Sequence, residues 1–307
     1  LQPINQTKLY GLSTYLDDLV NLYKNNILPN KILLSGPKAI GKSTLAYHFI
    51  NSVLSETEEY KYDIKNNIID ERNKSFKLIN NKSHPNMILI DINEDKKYID
   101  IDQIRNLILN LNKTSFNSKI KFILIDNIEF LNISSINALL KILEEPTVNC
   151  YFILIKNDKS ILKTLTSRCL NFKINLTSNE SLLISEKLIG KDAIDTINKD
   201  LINYYISPGN FYRLLQFSKI NDLNLSNLDL KEFLNILIKE NYYKKDFFIK
   251  KIIYDFIEFY FRKKSKIYSK DLWVKYSSFL KKISDTKKFN LDEEILLMEF
   301  ESEILNG

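Results

Sequence analysis

Residues 31–43 read Lys31-Ile32-Leu33-Leu34-Ser35-Gly36-Pro37-Lys38-Ala39-Ile40-Gly41-Lys42-Ser43. A short apolar run, a turn bracketed by two glycines and the start of a helical pattern over Thr44–Leu54 follow one another without a gap. The spacing Gly-x-x-x-x-Gly-Lys-Ser has a physical reason. Glycines let successive backbone N–H groups curl around an anion, and the helix N-terminus adds partial positive charge. Residues Gly36, Pro37, Lys38, Ala39, Ile40 and Gly41 would form the cradle. Lys42 would reach the terminal phosphates, the Ser43 hydroxyl would ligate Mg²⁺, and Thr44 follows in the first helical turn. The chain has only six glycines, and two of them stand here. ATP or ADP with Mg²⁺ is the expected ligand.

Further apolar runs, Met87–Ile90, Phe122–Ile125, Tyr151–Ile155 and the shorter Phe172–Ile174, alternate with helical patterns such as Ile101–Leu111. Runs apolar on both faces predict parallel strands covered by helices on each side. Ser55–Lys82 is polar and without period, which predicts a long surface insertion or a loop with one short helix. After about residue 176 the strands stop. Ser178–Ile206 and Gly209–Phe217 read as helices, Asn221–Asp229 resembles a linker, and the pattern from Leu230 onward is helical. Phe247, Phe248, Ile252, Ile253, Phe256 and Phe259 recur at three- and four-residue steps, as a buried helix face does, and Asp292–Leu305 behaves similarly.

The chain has 307 residues, 44% of them hydrophobic, a length and composition suited to two or three packed modules. No apolar run is long enough for a membrane span. Leu1–Asn5 carries no charged stretch leading into an apolar one, so no signal peptide is expected, and the expected location is cytoplasmic. Cys150, Cys169, His48 and His84 are the only cysteines and histidines, their spacing matches no zinc motif, and no zinc site is expected. Net charge is +6, and of 44 basic residues five are arginine: Arg72, Arg105, Arg168, Arg213 and Arg262.

Asp126 ends the run Phe122–Ile125, where an acid can hold Mg²⁺ through water. The next residue is Asn127. An amide can hold a water but cannot accept its proton, so the chain is equipped to bind a nucleotide and poorly equipped to cleave it. Glu129 is near in sequence, but the strand-to-loop geometry need not point it at a terminal phosphate. Asn157, just past the run Tyr151–Ile155, joins the set expected around the nucleotide. Asn137-Ala138-Leu139-Leu140-Lys141-Ile142-Leu143-Glu144-Glu145-Pro146 is a helix whose apolar face carries Ile136, Leu139, Leu140 and Leu143 and which Pro146 should end. Its two terminal acids oppose the macrodipole, as a basic partner, a local network or a solvated end would tolerate. Ser167-Arg168-Cys169 sits on a turn before the last strand, and an arginine there forms either an ion pair or a finger for a phosphate.

Together these segments, with Leu33–Pro37, His84-Pro85-Asn86 and Ile101-Asp102-Gln103-Ile104-Arg105, resemble bacterial clamp-loader subunits of the AAA+ class, nearest the delta-prime type of DNA polymerase III. The resemblance covers the first 215 residues or so, and the remainder only in helical character. It implies an α/β P-loop AAA+ domain with a five-stranded parallel sheet over 1–175, a small helical lid over 176–220, and an all-α collar for oligomerisation over 221–307. It implies a hetero-pentamer with gamma/tau and delta subunits, acting on a sliding clamp and, through the complex, on primed DNA. It also implies that Arg168 acts in trans as an arginine finger. The chain departs from the pattern in four places. Ala39 stands where glycine is usual, Ser55–Lys82 lacks the four cysteines of a zinc module, Asn127 replaces the acid, and Arg213 lies one turn late. These departures favour a delta-prime role with weak or no ATPase alone. A gamma/tau-like motor subunit is the second reading, and a P-loop small-molecule kinase the third. Lysine pairs 244–245, 250–251, 263–264, 281–282 and 287–288, with Lys266 and the aromatics Tyr254, Phe259, Tyr260, Phe261, Trp273 and Tyr276, are expected to be a solvated face over a core before a DNA surface.

Overall fold

The computed structural model describes residues 2–93, 96, 98–113, 120–145, 149–157, 160–202, 206–265, 270–289 and 291–306. The chain divides into two compact units. One comprises Leu1–Leu188 with Ser207–Asn210, and the other Ile189–Ile206 with Phe211–Gly307.

Five strands form the sheet of the first unit: β1 (Lys31–Ser35), β2 (Met87–Ile90), β3 (Lys121–Ile125), β4 (Cys150–Lys156) and β5 (Leu170–Lys173). Their spatial order is β2-β3-β4-β1-β5, and every pair is parallel. The helices are α1 (Ser13–Lys24), α2 (Lys42–Leu54), α3 (Lys74–Asn80), α4 (Ile101–Lys113), α5 (Ile133–Glu144), α6 (Lys163–Thr166) and α7 (Ser178–Ile189). Alternate strand residues enter opposite cores, as the period of two requires. Ile32, Leu34, Phe122, Leu124, Ile153 and Ile155 pack with α1 and α2. Leu33, Ile123, Ile125, Phe152 and Leu154 pack with α4 and α5. The helical covering on both faces is why these strands are apolar throughout.

Two expectations for the first unit need correction. Strand β5 is not buried on both faces: Leu170 is 41% exposed, and the strand begins two residues before the expected Phe172. It is an edge strand, with β1 as its one neighbour. The segment 55–82 does contain one short helix, α3, but it is no surface insertion. Tyr62, Ile69, Phe76 and Ile79 are buried in the core that holds α1 and α2. Backbone bonds stitch it to the N-terminal segment, Leu9 N donating to the Asn67 carbonyl and Ile69 N to the Thr7 carbonyl, both within 3.0 Å. Asn73 caps α3 by accepting from Phe76 N and also accepts from the Asn51 amide on α2.

The second unit contains α8 (Lys191–Asp195), most of α9 (Pro208–Ile220), α10 (Leu230–Lys239), α11 (Tyr242–Lys245), α12 (Phe247–Ser265), α13 (Lys270–Phe289) and α14 (Glu293–Phe300), the last continued by a π turn over Glu301–Leu305. Asp229 and Glu232 form a reciprocal capping box that starts α10. The segment 221–229 is not a free linker, because Leu225 is buried and its carbonyl accepts from Asn198 N. Tyr254, Tyr260 and Phe261 are buried, and Phe261 packs against Phe279 and Phe300. Lys244, Lys250 and Lys263 pair with Glu294, Glu293 and Asp200 at 2.5–2.8 Å, and Lys282 pairs with Glu299. These lysines have acidic partners within their own unit. Pro146 and Lys266 lie outside the described residues, as do the side chains of Phe247, Trp273 and Lys287. Among the described residues no helix is long and apolar enough to cross a membrane.

Candidate nucleotide site and edge arginine

In a parallel sheet the loops after the strand C-termini converge on one edge, where ligands bind. Ser35 ends β1, Ile125 ends β3, and β4 lies between them in the sheet. The topology therefore brings the loop 36–41, Asp126 and Asn157 together at that edge.

The loop has the backbone that its glycines predict, with one addition. Gly36 has φ +151° and Gly41 φ +100°, and Ala39 also adopts the left-handed region at φ 62°. A Cβ at Gly36 would lie 2.1 Å from the Ile174 carbonyl oxygen, so only glycine fits. The Ala39 carbonyl accepts from Gly209 N at 3.0 Å. A Cβ at Gly209 would come within 2.9 Å of both the Ala39 Cβ and its carbonyl oxygen. The departure from glycine at position 39 is thus met by a glycine opposite.

Helix α2 begins at Lys42, with Gly41 as its N-cap, and presents the N-termini of residues 42–44 beneath the loop. Lys42 is buried, and its ammonium donates to the Gly36 carbonyl at 2.8 Å and the Pro37 carbonyl at 2.5 Å. Ser43 Oγ donates to Asp126 Oδ2 at 2.5 Å. Burial chiefly, and the neighbouring Asp91 carboxylate, raise the Asp126 pKa to about 6, against the opposing bonds from Ser43 and Asn127 and the charge of Lys42. A hydroxyl and a carboxylate in contact are hard oxygen ligands of the kind Mg²⁺ takes, and a bound cation would reverse that shift. The donor set, with the glycine-dependent cradle, fits a Mg²⁺-nucleotide.

Asn127 follows Asp126 in the left-handed region, φ 56°, and opens a 3₁₀ turn over Ile128–Phe130. Both ends of its side chain are engaged: Nδ2 donates to Asp91 Oδ1 at 2.8 Å, and Oδ1 accepts from Asn157 Nδ2 at 3.0 Å. Asn157 Nδ2 also donates to Glu129 Oε1 at 2.8 Å, and Asn157 N donates to Glu129 Oε2 at 3.3 Å. Sequence reasoning passed over Asp91 and gave Glu129 no partner. Their signal was present, since each follows directly on a strand C-terminus or on the turn after one.

Arg168 lies elsewhere. It precedes β5, whose Leu170 pairs with Ile32 near the start of β1, whereas the phosphate-type loop leaves the far end of β1 after Ser35. The intervening strand is about 10 Å long at roughly 3.3 Å per residue. Arg168 and the loop therefore lie at opposite ends of two neighbouring strands, β5 and β1. Its guanidinium pairs with Glu144, the last residue of α5, at 2.5 Å and donates to the Thr164 carbonyl at 2.6 Å. Of the three ways to tolerate acids at the end of α5, the local network is the one present for Glu144. Arg213 stands over the Phe248 ring at 6.0 Å from its centroid.

Comparison with known proteins gives the family of the chain. The family model described as DNA polymerase III, delta subunit, matches residues 11–178. The DNA polymerase III subunit gamma of Buchnera aphidicola subsp. Schizaphis graminum is 29% identical over 77% of this chain and 64% of its own length. The subunit delta' of the same organism is 30% identical over 70% of this chain and 66% of its own length. The chain thus spans somewhat under two thirds of these relatives. A gamma subunit-related structure from Thermotoga maritima has 17% identity and a TM-score of 0.47, covering 91% of this chain and 96% of that one. With the family model matching more than half of its length, the chain belongs to the DNA polymerase III delta subunit family.

Proposed function

We propose that this chain is a delta-prime-type subunit of a bacterial clamp loader, holding a nucleotide on its own loop and lending Arg168 to the site of a neighbouring subunit. The observation that carries the reading is the separation of Arg168 from the chain's own loop, at opposite ends of the parallel strands β5 and β1. An arginine so placed cannot stabilise charge on a phosphate held by Lys42 and Ser43, and it can do so only for a phosphate presented by another chain.

In this reading Gly36–Gly41, Lys42, Ser43 and Thr44 bind the phosphates, and Ser43 with Asp126 holds Mg²⁺. Mg²⁺ would supply charge neutralisation to the phosphates. Asn127 positions polar groups and does not take a proton, so isolated hydrolysis is weak. Residues 176–220 act as the lid and 221–307 as the collar. The partners are gamma/tau and delta subunits in a hetero-pentamer, the sliding clamp and, through the complex, primed DNA, and the compartment is the cytoplasm. The intact Lys42–Ser43–Asp126 set is what a gamma-like motor would also need, but Asn127 leaves that reading without its base.

The test is hydrolysis by the purified chain and by the reconstituted loader carrying wild-type protein or Arg168→Ala. The expected result is little hydrolysis by the chain alone and a loss on the order of 10³-fold at the single site that Arg168 completes. Robust hydrolysis by the isolated chain, or an assembled rate indifferent to Arg168→Ala, would remove the proposal.

A further inference from the structure

The polar groups at the C-terminal ends of β2, β3 and β4 form one chain of hydrogen bonds whose direction is settled by its ends. A carboxylate can only accept. Asp91 therefore requires the NH₂ of Asn127 to point at it, which leaves the Asn127 carbonyl oxygen for Asn157. Glu129 likewise requires the NH₂ of Asn157. The side-chain amide of Asn157 has two N–H donors, and Asn127 and Glu129 take both. No flip of either amide is compatible with both carboxylates, so the orientation is fixed by chemistry.

Asn157 leaves β4, the strand between the one that carries the loop and the one that carries Asp126. That order sets Asn157 at the same end of the sheet as the loop and Asp126, the end at which a phosphate held by the loop would lie. Its donors, however, are committed inside the protein. The acids joined to it, Glu129 directly and Asp91 through Asn127, repel added negative charge.

We infer that this site takes nucleoside diphosphate and triphosphate with similar affinity, because Glu129, as a positioning residue, holds the Asn157 donors away from a terminal phosphate. This rests on the reading that the loop binds a nucleotide. Binding energy would come from the loop, Lys42 and the α2 N-terminus, which meet the phosphates that both ligands share. Such a site stays filled after a triphosphate is replaced by a diphosphate, and it does not report which one it holds.

The experiment is calorimetric titration of the full chain with Mg²⁺-ADP and with a Mg²⁺-bound non-hydrolysable ATP analogue, for wild type, Glu129→Ala and Glu129→Gln. Wild type is expected to bind the two within fivefold of each other. Glu129→Ala frees one Asn157 N–H and should shift the ratio toward the ATP analogue by at least fivefold. Glu129→Gln keeps an acceptor for Asn157 while removing the charge, and it should shift the ratio less than Glu129→Ala does. In ¹⁵N spectra of wild type, the Asn157 side-chain amide signals should coincide in the two complexes. A wild-type preference for the ATP analogue above fivefold, a ratio unmoved by Glu129→Ala, or an Asn157 signal that differs between the complexes would overturn the inference and leave nucleotide binding standing. Binding of neither ligand would instead overturn nucleotide binding itself, and this inference with it.

Discussion

Arg168 and Glu144 form a 2.5 Å ion pair that ties the turn before β5 to the C-terminal end of α5. Both side chains are partly exposed, so the pair contributes little to folding, within about 1 kcal/mol. Its use is orientation. The guanidinium has five N–H donors, and the bonds to Glu144 and Thr164 leave others for a ligand. Glu144→Gln is expected to leave the thermal midpoint of the isolated chain within a degree or two of wild type. In the reconstituted loader it should lower hydrolysis by roughly tenfold at the site Arg168 serves, less than Arg168→Ala does. Arg168→Lys should fail to restore the rate, since an ammonium lacks the planar fork that spans Glu144, the Thr164 carbonyl and a phosphate in fixed geometry.

Nucleotide binding has a direct thermal signature. A ligand at 100 times its dissociation constant stabilises the native state by about 2.7 kcal/mol, which raises the midpoint of a unit this size by several degrees. Mg²⁺-ADP should produce that rise in wild type. Lys42→Ala removes the ammonium that bridges the loop carbonyls, and the rise should vanish in a fluorimetric melting series. Asp126→Asn should keep the rise in EDTA and lose its dependence on Mg²⁺.

The loop backbone predicts opposite outcomes for two small substitutions. Gly36→Ala places a methyl 2.1 Å from the Ile174 carbonyl oxygen at φ +151°, and rigid backbone must move. A loss of about 2–4 kcal/mol in urea unfolding is expected. Ala39→Gly relieves a left-handed alanine at φ 62° and should be neutral or stabilising by up to about 1 kcal/mol.

His48 is buried, bonded to the Tyr62 hydroxyl and the Gln6 carbonyl, and burial lowers its pKa to about 4. Between that value and the ordinary 6.5 the unfolded chain binds a proton that the folded chain does not. Stability contributed by neutral His48 is therefore complete above pH 6.5 and is lost as pH falls toward 4, at up to about 1.4 kcal/mol per pH unit. Urea midpoints for wild type and His48→Gln, compared at pH 7 and pH 5, should show the steeper fall in wild type.

Strands β1, β3 and β4 and the loop were legible because burial on both faces forces a continuous apolar run, and because the loop needs glycine at Gly36 and Gly41. Strand β2 was legible because all four of its residues are apolar, although only Ile90 is fully buried. Strand β5 was blurred because Leu170, Asn171 and Lys173 are exposed, so they do not need to be apolar. The segment 55–82 hid its core contribution because Tyr62, Ile69, Phe76 and Ile79 keep no helical or strand period over the whole stretch. Lys42, Ser43 and Asp126 could be read from spacing alone. The bond chain through Asp91, Asn127, Asn157 and Glu129 could not, because it joins residues from three strand ends that only the sheet order makes neighbours.

That sheet order also sets when the loop can exist during synthesis. Lys31 pairs with Phe152, and Ile32 with Leu170. The strand leading into the loop leaves the ribosome well before either of its flanks, β4 and β5. Until residues beyond 173 have emerged, Ile32, Leu33 and Leu34 lack at least one lateral partner, and closing such long loops is slow. A stalled or truncated product ending before β4 would carry the whole motif in its sequence and no cradle in space. Such fragments expose an apolar strand edge, so they are candidates for chaperone capture and degradation rather than for residual nucleotide binding.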